Sequence, residues 1–267
     1  MQGSPYQAII ATGATPVSVR IPSDTSNFCI AGICGLFNGQ ILIADNYNKS
    51  LKLLDLQNKA VVTFCDMPDH PRNMCLITPC QVAVAVQSGI QFVSVNSGQL
   101  VKGRRLQLPH NCRGVAHHQG DLYVTSGTAL YKYTLTGTLV DKIYEDISIS
   151  DAVYKCAVSP SGDIIYVTNC NNKLLTLARD GAVISTFTDT ELQRPSEVHV
   201  TPAGQVLVCG YLSNTVIQVD SEGKKKIATL AAKKDGLQSS RSVFYNWKSG
   251  SVLVGQSDKN ILLFNLK

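Results

Sequence analysis

The chain has 267 residues, 44% of them hydrophobic and 16% charged, a balance that excludes intrinsic disorder and suits a body of half-buried strands. A net charge of +5 is too small to mark a nucleic-acid binder until the charges are placed. Length alone allows two average domains, but one closed all-β fold also reaches this size.

In chain order, two extended runs come first, QAIIAT (7–12) and PVSVRI (16–21). A turn-plus-strand unit then recurs as NGQILIAD, QGDLYVT, SGDIIYVT, AGQVLVCG and SGSVLVG, with glycines at Gly39, Gly120, Gly162, Gly204 and Gly250. Successive gaps are 81, 42, 42 and 46 residues, so one unit is hidden in the first gap. CQVAVAV (80–86) fills it without the glycine. Each unit is followed by a second alternating run: SLKLLDL, IQFVSVN, ALYKYTL, LLTLARD, TVIQVDS and ILLFNLK. The stretch from Val153 to Phe187 is complete, four short extended runs separated by Pro160, Gly162, Asn171, Asn172, Asp180 and Gly181, residues that fix turns or tolerate positive φ.

A period near 42 residues signals radial or stacked repeats, and a β-sandwich has no reason to keep one. The expected fold is therefore all-β, a six-bladed β-propeller. Its sixth unit ends at Lys267 after only three strands, which would leave an apolar edge. One of the two N-terminal runs is expected to complete that last blade and close the ring. The domain reading is a single unit, 1–267, with 1–26 as the closure region and 27–267 as six blades.

The first unit, FNGQILIADNYNKSLKLLD, has a glycine turn, an apolar strand ending in Ala-Asp and an Asn-rich turn before the next strand. It resembles the NHL repeat. SPSGDIIYVTNCNNKLLTLARDG and TPAGQVLVCGYLSNTVIQVDSEG are similar but looser, while the second and sixth units lose the glycine or lengthen the turn. The resemblance is to the C-terminal propeller of invertebrate tripartite-motif proteins, in which RING, B-box and coiled coil precede the propeller. It implies a module that selects a protein or RNA partner while an upstream RING transfers ubiquitin. No RING or B-box Cys/His set occurs here, so this chain would be only the selector, and monomeric without the coiled coil. The start MQGSPYQ fits excision from a longer protein.

In such a ring the loops after the second strand share one face with the segments between blades, and loops carry function on a repeated scaffold. Those stretches hold ten basic and twelve acidic residues, which favours a protein or peptide ligand over RNA. A basic residue nevertheless recurs just before the first strand of most units: Arg72, Arg113, Lys155, Arg194 and Arg241. Radial symmetry could bring these to the channel mouth as a carboxylate or phosphate site. The competing reading pairs each with a nearby acid such as Asp69, Asp151, Glu191 or Asp235. Tyr47 and Tyr211, in equivalent loops, and Tyr154 are candidate aromatic anchors for a protein, and equally for stacked RNA bases. Lys224 to Lys226 read as the solvated edge of an outer strand rather than a nucleic-acid signal.

No catalytic constellation is present: no G-x-S-x-G elbow, no HExxH, no phosphate-cradling glycine loop. A metal-dependent hydrolase of the propeller type remains a third alternative, with His117, His118 and His199 as possible channel residues. His117 and His118 are adjacent and point to opposite sides of a strand. Nine cysteines, odd in number and scattered, several within apolar runs (Cys75, Cys156, Cys209), read as buried free thiols. The C-x4-C spacings Cys29/Cys34 and Cys75/Cys80 lack a second pair to complete a tetrahedral set, so no metal or other cofactor is expected. Without a signal peptide or an apolar run of roughly 18 residues, no membrane span and a reducing, cytoplasmic setting are expected.

Overall fold

The computed structural model describes residues 6–267; residues 1–5 of the expected closure region lie outside the described residues. A strand β1 (Ala11–Ser18) precedes the first blade, which is β2 (Ile30–Gly35), β3 (Ile41–Asp45), β4 (Ser50–Asp55) and β5 (Ala60–Asp66). The second is β6 (Asn73–Thr78), β7 (Gln81–Val86), β8 (Gly89–Asn96) and β9 (Gln99–Gln107). The third is β10 (Gly114–His118), β11 (Asp121–Thr125), β12 (Ala129–Thr134) and β13 (Leu139–Glu145). The fourth, the stretch complete in sequence, is β14 (Lys155–Val158), β15 (Ile164–Asn169), β16 (Lys173–Ala178) and β17 (Val183–Phe187). The fifth is β18 (Pro195–Val200), β19 (Val206–Gly210), β20 (Thr215–Val219) and β21 (Lys226–Ala231), and the chain ends with β22 (Ser242–Asn246), β23 (Ser251–Gly255) and β24 (Asn260–Leu266). Among the described residues one single-turn 3₁₀ segment, Lys233–Asp235, is the only helix. None is long and apolar enough to cross a membrane.

These strands form six four-stranded antiparallel meanders, five of them consecutive in the chain and the sixth ordered β1-β24-β23-β22. The first strand of each blade lies against the first strands of both neighbours, β2 against β6 and, around the ring, β22 against β2. The molecule is thus a closed six-bladed β-propeller with the six first strands lining its channel.

Each interface between blades carries its own apolar cluster. Leu42 and Leu51 of the first blade meet Val84 and Val93 of the second; at the closing interface Leu253 and Ile261 meet Ile30 and Ile43. Central strands are covered on both faces, so every residue of β3, β19 and β23 is buried, and they read as unbroken apolar runs rather than alternating ones. The outermost strands are covered on one face and alternate, as in β5, where Val62 and Phe64 are exposed.

The repeated glycines have one role. Gly39, Gly120, Gly162, Gly204 and Gly250 all hold φ between +57° and +89° in the turn after the first strand, where a side chain is strained. The second blade turns through Pro79 and Cys80 alone and uses no left-handed residue there, which accounts for its missing glycine.

Closure uses neither N-terminal run intact. β1 begins at the end of the first run and finishes within the second, pairing from Ala11 opposite Leu266 to Ser18 opposite Asn260 with a bulge at Gly13. The first run instead reaches the fifth blade. The Ile9 N–H donates to Gln218 Oε1 at 2.7 Å, the Gln7 carbonyl accepts from the Gln205 and Gln218 amides at 2.9 and 2.8 Å, and Ile9 joins the cluster between the fifth and sixth blades. Pro16 is tolerated because β1 is an edge strand, where a missing N–H costs no ladder bond.

Candidate functional site

The first strands enter the channel from the face that carries the inter-blade segments, and their entry positions repeat. The Arg72 N–H donates to the Ala85 carbonyl, Arg113 to Thr125, Tyr154 to Thr168 and Arg241 to Gly255, each at 2.7 to 2.9 Å. Arg72, Arg113, Tyr154 and Arg241 are therefore structural equivalents. Their side chains converge with those of Tyr47 and Lys155 around a concavity of about 200 Å³ at the channel mouth. Lys155 sits one residue further in, as the first residue of β14.

Two residues of the sequence reading stand apart. Arg194 holds φ +51° and precedes Pro195, which has no N–H to continue the ladder. Its own N–H turns to Asn172 Oδ1 at 2.7 Å, and β18 bulges between Pro195 and Glu197. The guanidinium consequently lies on the rim, 5.5 Å from the centre of the Tyr211 ring, while Arg241 stacks on the same ring at 4.1 Å. Tyr211 is thus a platform for two arginines beside the mouth. Tyr47 lines the mouth because it falls one position later in its loop, after Asn46.

The mouth carries more positive charge than the face as a whole. Among the described residues, Arg113 forms an ion pair with Asp151, Nε to Oδ1 3.0 Å, and Arg72, Lys155, Arg194 and Arg241 form none. Arg72 donates to the Cys112 carbonyl at 3.4 Å and Arg241 to Ser257 Oγ at 3.1 Å. The acid pairing weighed for the whole set holds for Arg113 alone; Glu191 pairs with Lys226 at 2.8 Å, and Asp235 accepts from the Ala232 N–H at 3.0 Å. Burial, reinforced by the neighbouring Arg113, lowers the Arg72 pKa. Such mutual repulsion is relieved by an anion.

Below the mouth lies a polar layer that sequence reasoning passed over. Asn73 Nδ2 donates to Glu197 Oε2 at 2.8 Å, Asn73 Oδ1 accepts from the Val115 N–H at 2.8 Å, and Glu197 Oε1 accepts from the Val198 N–H at 3.1 Å. Lys155, 2% exposed, donates through Nζ to the Arg72 carbonyl. Burial lowers the Lys155 pKa and raises that of Glu197, each partly offset by the attraction of the other. A glutamate inside the apolar run PSEVHV was the available signal, since a buried carboxylate persists only with partners.

The far end of the channel differs in character. A cavity of about 400 Å³ is lined there by residues including Met74, His117, His118, Val158, His199 and Phe244. His117 and His118 both reach it, although they alternate on β10, and each is engaged locally: His117 Nε2 accepts from the Gly120 N–H at 3.2 Å, and His118 Nε2 lies 3.2 Å from the Pro160 carbonyl. The buried Nε2 of His199 has no hydrogen-bond partner among the described residues. Among the described residues no three metal-ligating side chains cluster. All nine cysteines are free thiols, and the C-x4-C pair Cys29/Cys34 spans the channel, Cys29 at the mouth and Cys34 at the far cavity.

His199 makes stability depend on pH. Burial lowers its pKa from 6.5 to about 4, so below pH 6.5 the unfolded chain takes up a proton that the folded one refuses until near pH 4. The stability contributed by the neutral ring is therefore complete above pH 6.5 and falls as pH drops through that window, by on the order of 2 kcal/mol at pH 5. The raised pKa of the buried Glu197 acts in the opposite sense over the same range. The His199 contribution is therefore read by comparing the parent with His199→Phe in urea unfolding at pH 7 and pH 5, the variant being expected to lose less stability, or gain more, on acidification.

Six blades around a channel with a cationic mouth define a β-propeller of the six-bladed class. Similar solved structures include the β-propeller domain of Myceliophteria thermophila Cps50 (Swd1), 14% identical, covering 89% of this chain and 83% of that one, TM-score 0.63. A structural-genomics protein of unknown function from Bacteroides thetaiotaomicron is 12% identical, covering 95% of this chain and 76% of that one, TM-score 0.76. At these identities the likeness is one of fold. No family profile matches the sequence, so the NHL resemblance rests on the repeat residues alone. No curated protein matches it in sequence.

Proposed function

We propose that this protein is a non-catalytic recognition module whose loop face captures an acidic segment of a protein partner at the channel mouth. The observation that carries the reading is the convergence of Arg72, Arg113, Lys155 and Arg241 with Tyr47 and Tyr154 on one small concavity, where, among the described residues, only Arg113 of the four cations is paired with a carboxylate. Arginine and tyrosine in a partly desolvated pocket are the residues that dominate interface energetics, and a concavity of about 200 Å³ suits one carboxylate or phosphate-bearing side chain rather than a nucleic-acid strand. The NHL-like first repeat supports a selector that brings its partner to a ubiquitin-transferring enzyme carried elsewhere.

The test is a titration of the protein with a Glu-rich peptide, its Gln counterpart and a randomised RNA pool, at low and physiological salt. The acidic peptide is expected to bind and the Gln peptide to fail. Arg72→Glu combined with Arg241→Glu, at sites free of carboxylate partners, is expected to weaken binding by at least about tenfold without lowering the melting temperature. RNA enrichment with a steep salt dependence and no peptide binding would replace this reading with an RNA-selecting one.

A further inference from the structure

The far cavity is not explained by capture of an anion at the opposite mouth. Its wall is largely apolar, built from Cys34, Met74, Val158, Val198 and Phe244, with the His199 ring edge-on to Phe244 at 5.2 Å between centroids. The cavity is the part of the channel enclosed by the far ends of the first strands. A pocket of about 400 Å³, mostly apolar with a few placed polar groups, has the size and character of small-molecule sites.

Its two ends differ in exposure and in the polar groups they offer. At the deep end stand Asn73 and the buried Glu197. At the rim, Lys248 lies between Phe37 and Trp247, its Nζ 5.9 and 5.5 Å from the two ring centroids. Lys248 donates to the Phe37 carbonyl and has no carboxylate partner among the described residues. Phe37 and Trp247 are 57% and 59% exposed, an unusual cost for rings beside an open apolar cavity. A charged head group is costly to desolvate at the buried deep end and is attracted by the exposed Lys248, so an acidic one would face outward.

We propose that this cavity binds an apolar small molecule carrying one acidic group, its body among the first strands and its head group at Lys248 between the two rim aromatics. The site is independent of the anion-binding mouth, and neither proposal needs the other.

Trp247 is the only tryptophan in the chain, so its emission reports the rim directly. Dodecanoate, kept below its micellar concentration, is expected to shift that emission to the blue, with calorimetry giving one site per chain. Dodecylammonium, the same chain with a cationic head, is expected to bind at least about tenfold more weakly, and Lys248→Glu to weaken dodecanoate by a similar factor in calorimetry. Val158→Phe, which fills the cavity, is expected to abolish binding. If that variant fails to fold, the head-group comparison and Lys248→Glu, an exposed position, decide the matter. Absence of a saturable shift, equal binding of dodecylammonium, or unchanged affinity in Lys248→Glu would overturn the proposal.

Discussion

Shortening the chain to begin at Val19 is expected to abolish its cooperative unfolding transition. The deletion removes β1 and with it the pairing along β24 from Ala11 to Ser18. It also removes Ile9, 8% exposed, and Val17, 1% exposed, from the clusters on both sides of the sixth blade. Burial of those two side chains contributes about 3–6 kcal/mol, comparable with the whole stability of an ordinary domain, about 5–15 kcal/mol. The uncovered β24 is an unpaired apolar edge, so the shortened protein is also expected to self-associate. Thermal melts with size-exclusion chromatography read both effects. An unchanged melting temperature in a monomeric product would mean that the ring is held by its first strands and not by its closure.

Lys52→Met is expected to be the most damaging single substitution. Lys52 is 0% exposed, and its Nζ lies 2.8 Å from Asp24 and 2.8 Å from Asp45, both carboxylates themselves enclosed. Asp24 also accepts from the Ile21 N–H at 2.8 Å, and Asp45 from Asn48 Nδ2 at 2.8 Å. The network thereby ties the segment after the closure strand to the first blade. Removing the ammonium leaves two buried carboxylates without a counter-charge, at about 3–5 kcal/mol, or a fall in melting temperature of about 10 °C. Pairing Lys52→Met with Asp45→Asn is expected to recover part of that loss in a double-mutant cycle, because it removes one stranded charge. If Lys52→Met melts within a degree or two of the parent, the triad is not a stabilising element.

The same residues show where reading along the chain misleads. In SLKLLD, Lys52 occupies the polar place of an alternating strand and looks solvent-facing, yet blade packing covers both sides of β4 and Asp24 arrives from another blade's connection. The Ala-Asp and Asn-rich turn that resembles the NHL repeat is thus a buried polar network in this blade, with Asp45, Asn48 and Lys52 as its members. Charge counting over the loop face likewise leaves out which acids are already engaged. Ten bases and twelve acids suggest a neutral or acidic surface, but several acids are engaged structurally. Asp24 and Asp45 hold Lys52, Asp189 and Glu191 hold Lys226, and Asp146 and Asp258 accept from the N–H groups of Ser148 and Asn260. Among the described residues, the arginines at the mouth keep no such partners apart from Asp151.

What the amino-acid sequence determined by itself is the architecture, because each blade is a local object. Turn glycines recur at a regular period, the middle runs are apolar on both faces, and a sixth unit lacking its outer strand requires the chain's beginning to supply it. These are constraints among residues within about forty positions of one another, or between two ends that each carry an unsatisfied strand. The tertiary structure alone decided the chemistry of the channel. Asn73 and Glu197 are 124 residues apart, and Arg72 and Arg241 are brought to one mouth by ring closure. Arg194 has the same place in the repeat, yet Pro195 and a left-handed backbone turn it outward. A repeat fixes where each residue enters the ring, but which charges face one another across it depends on distances that no period encodes.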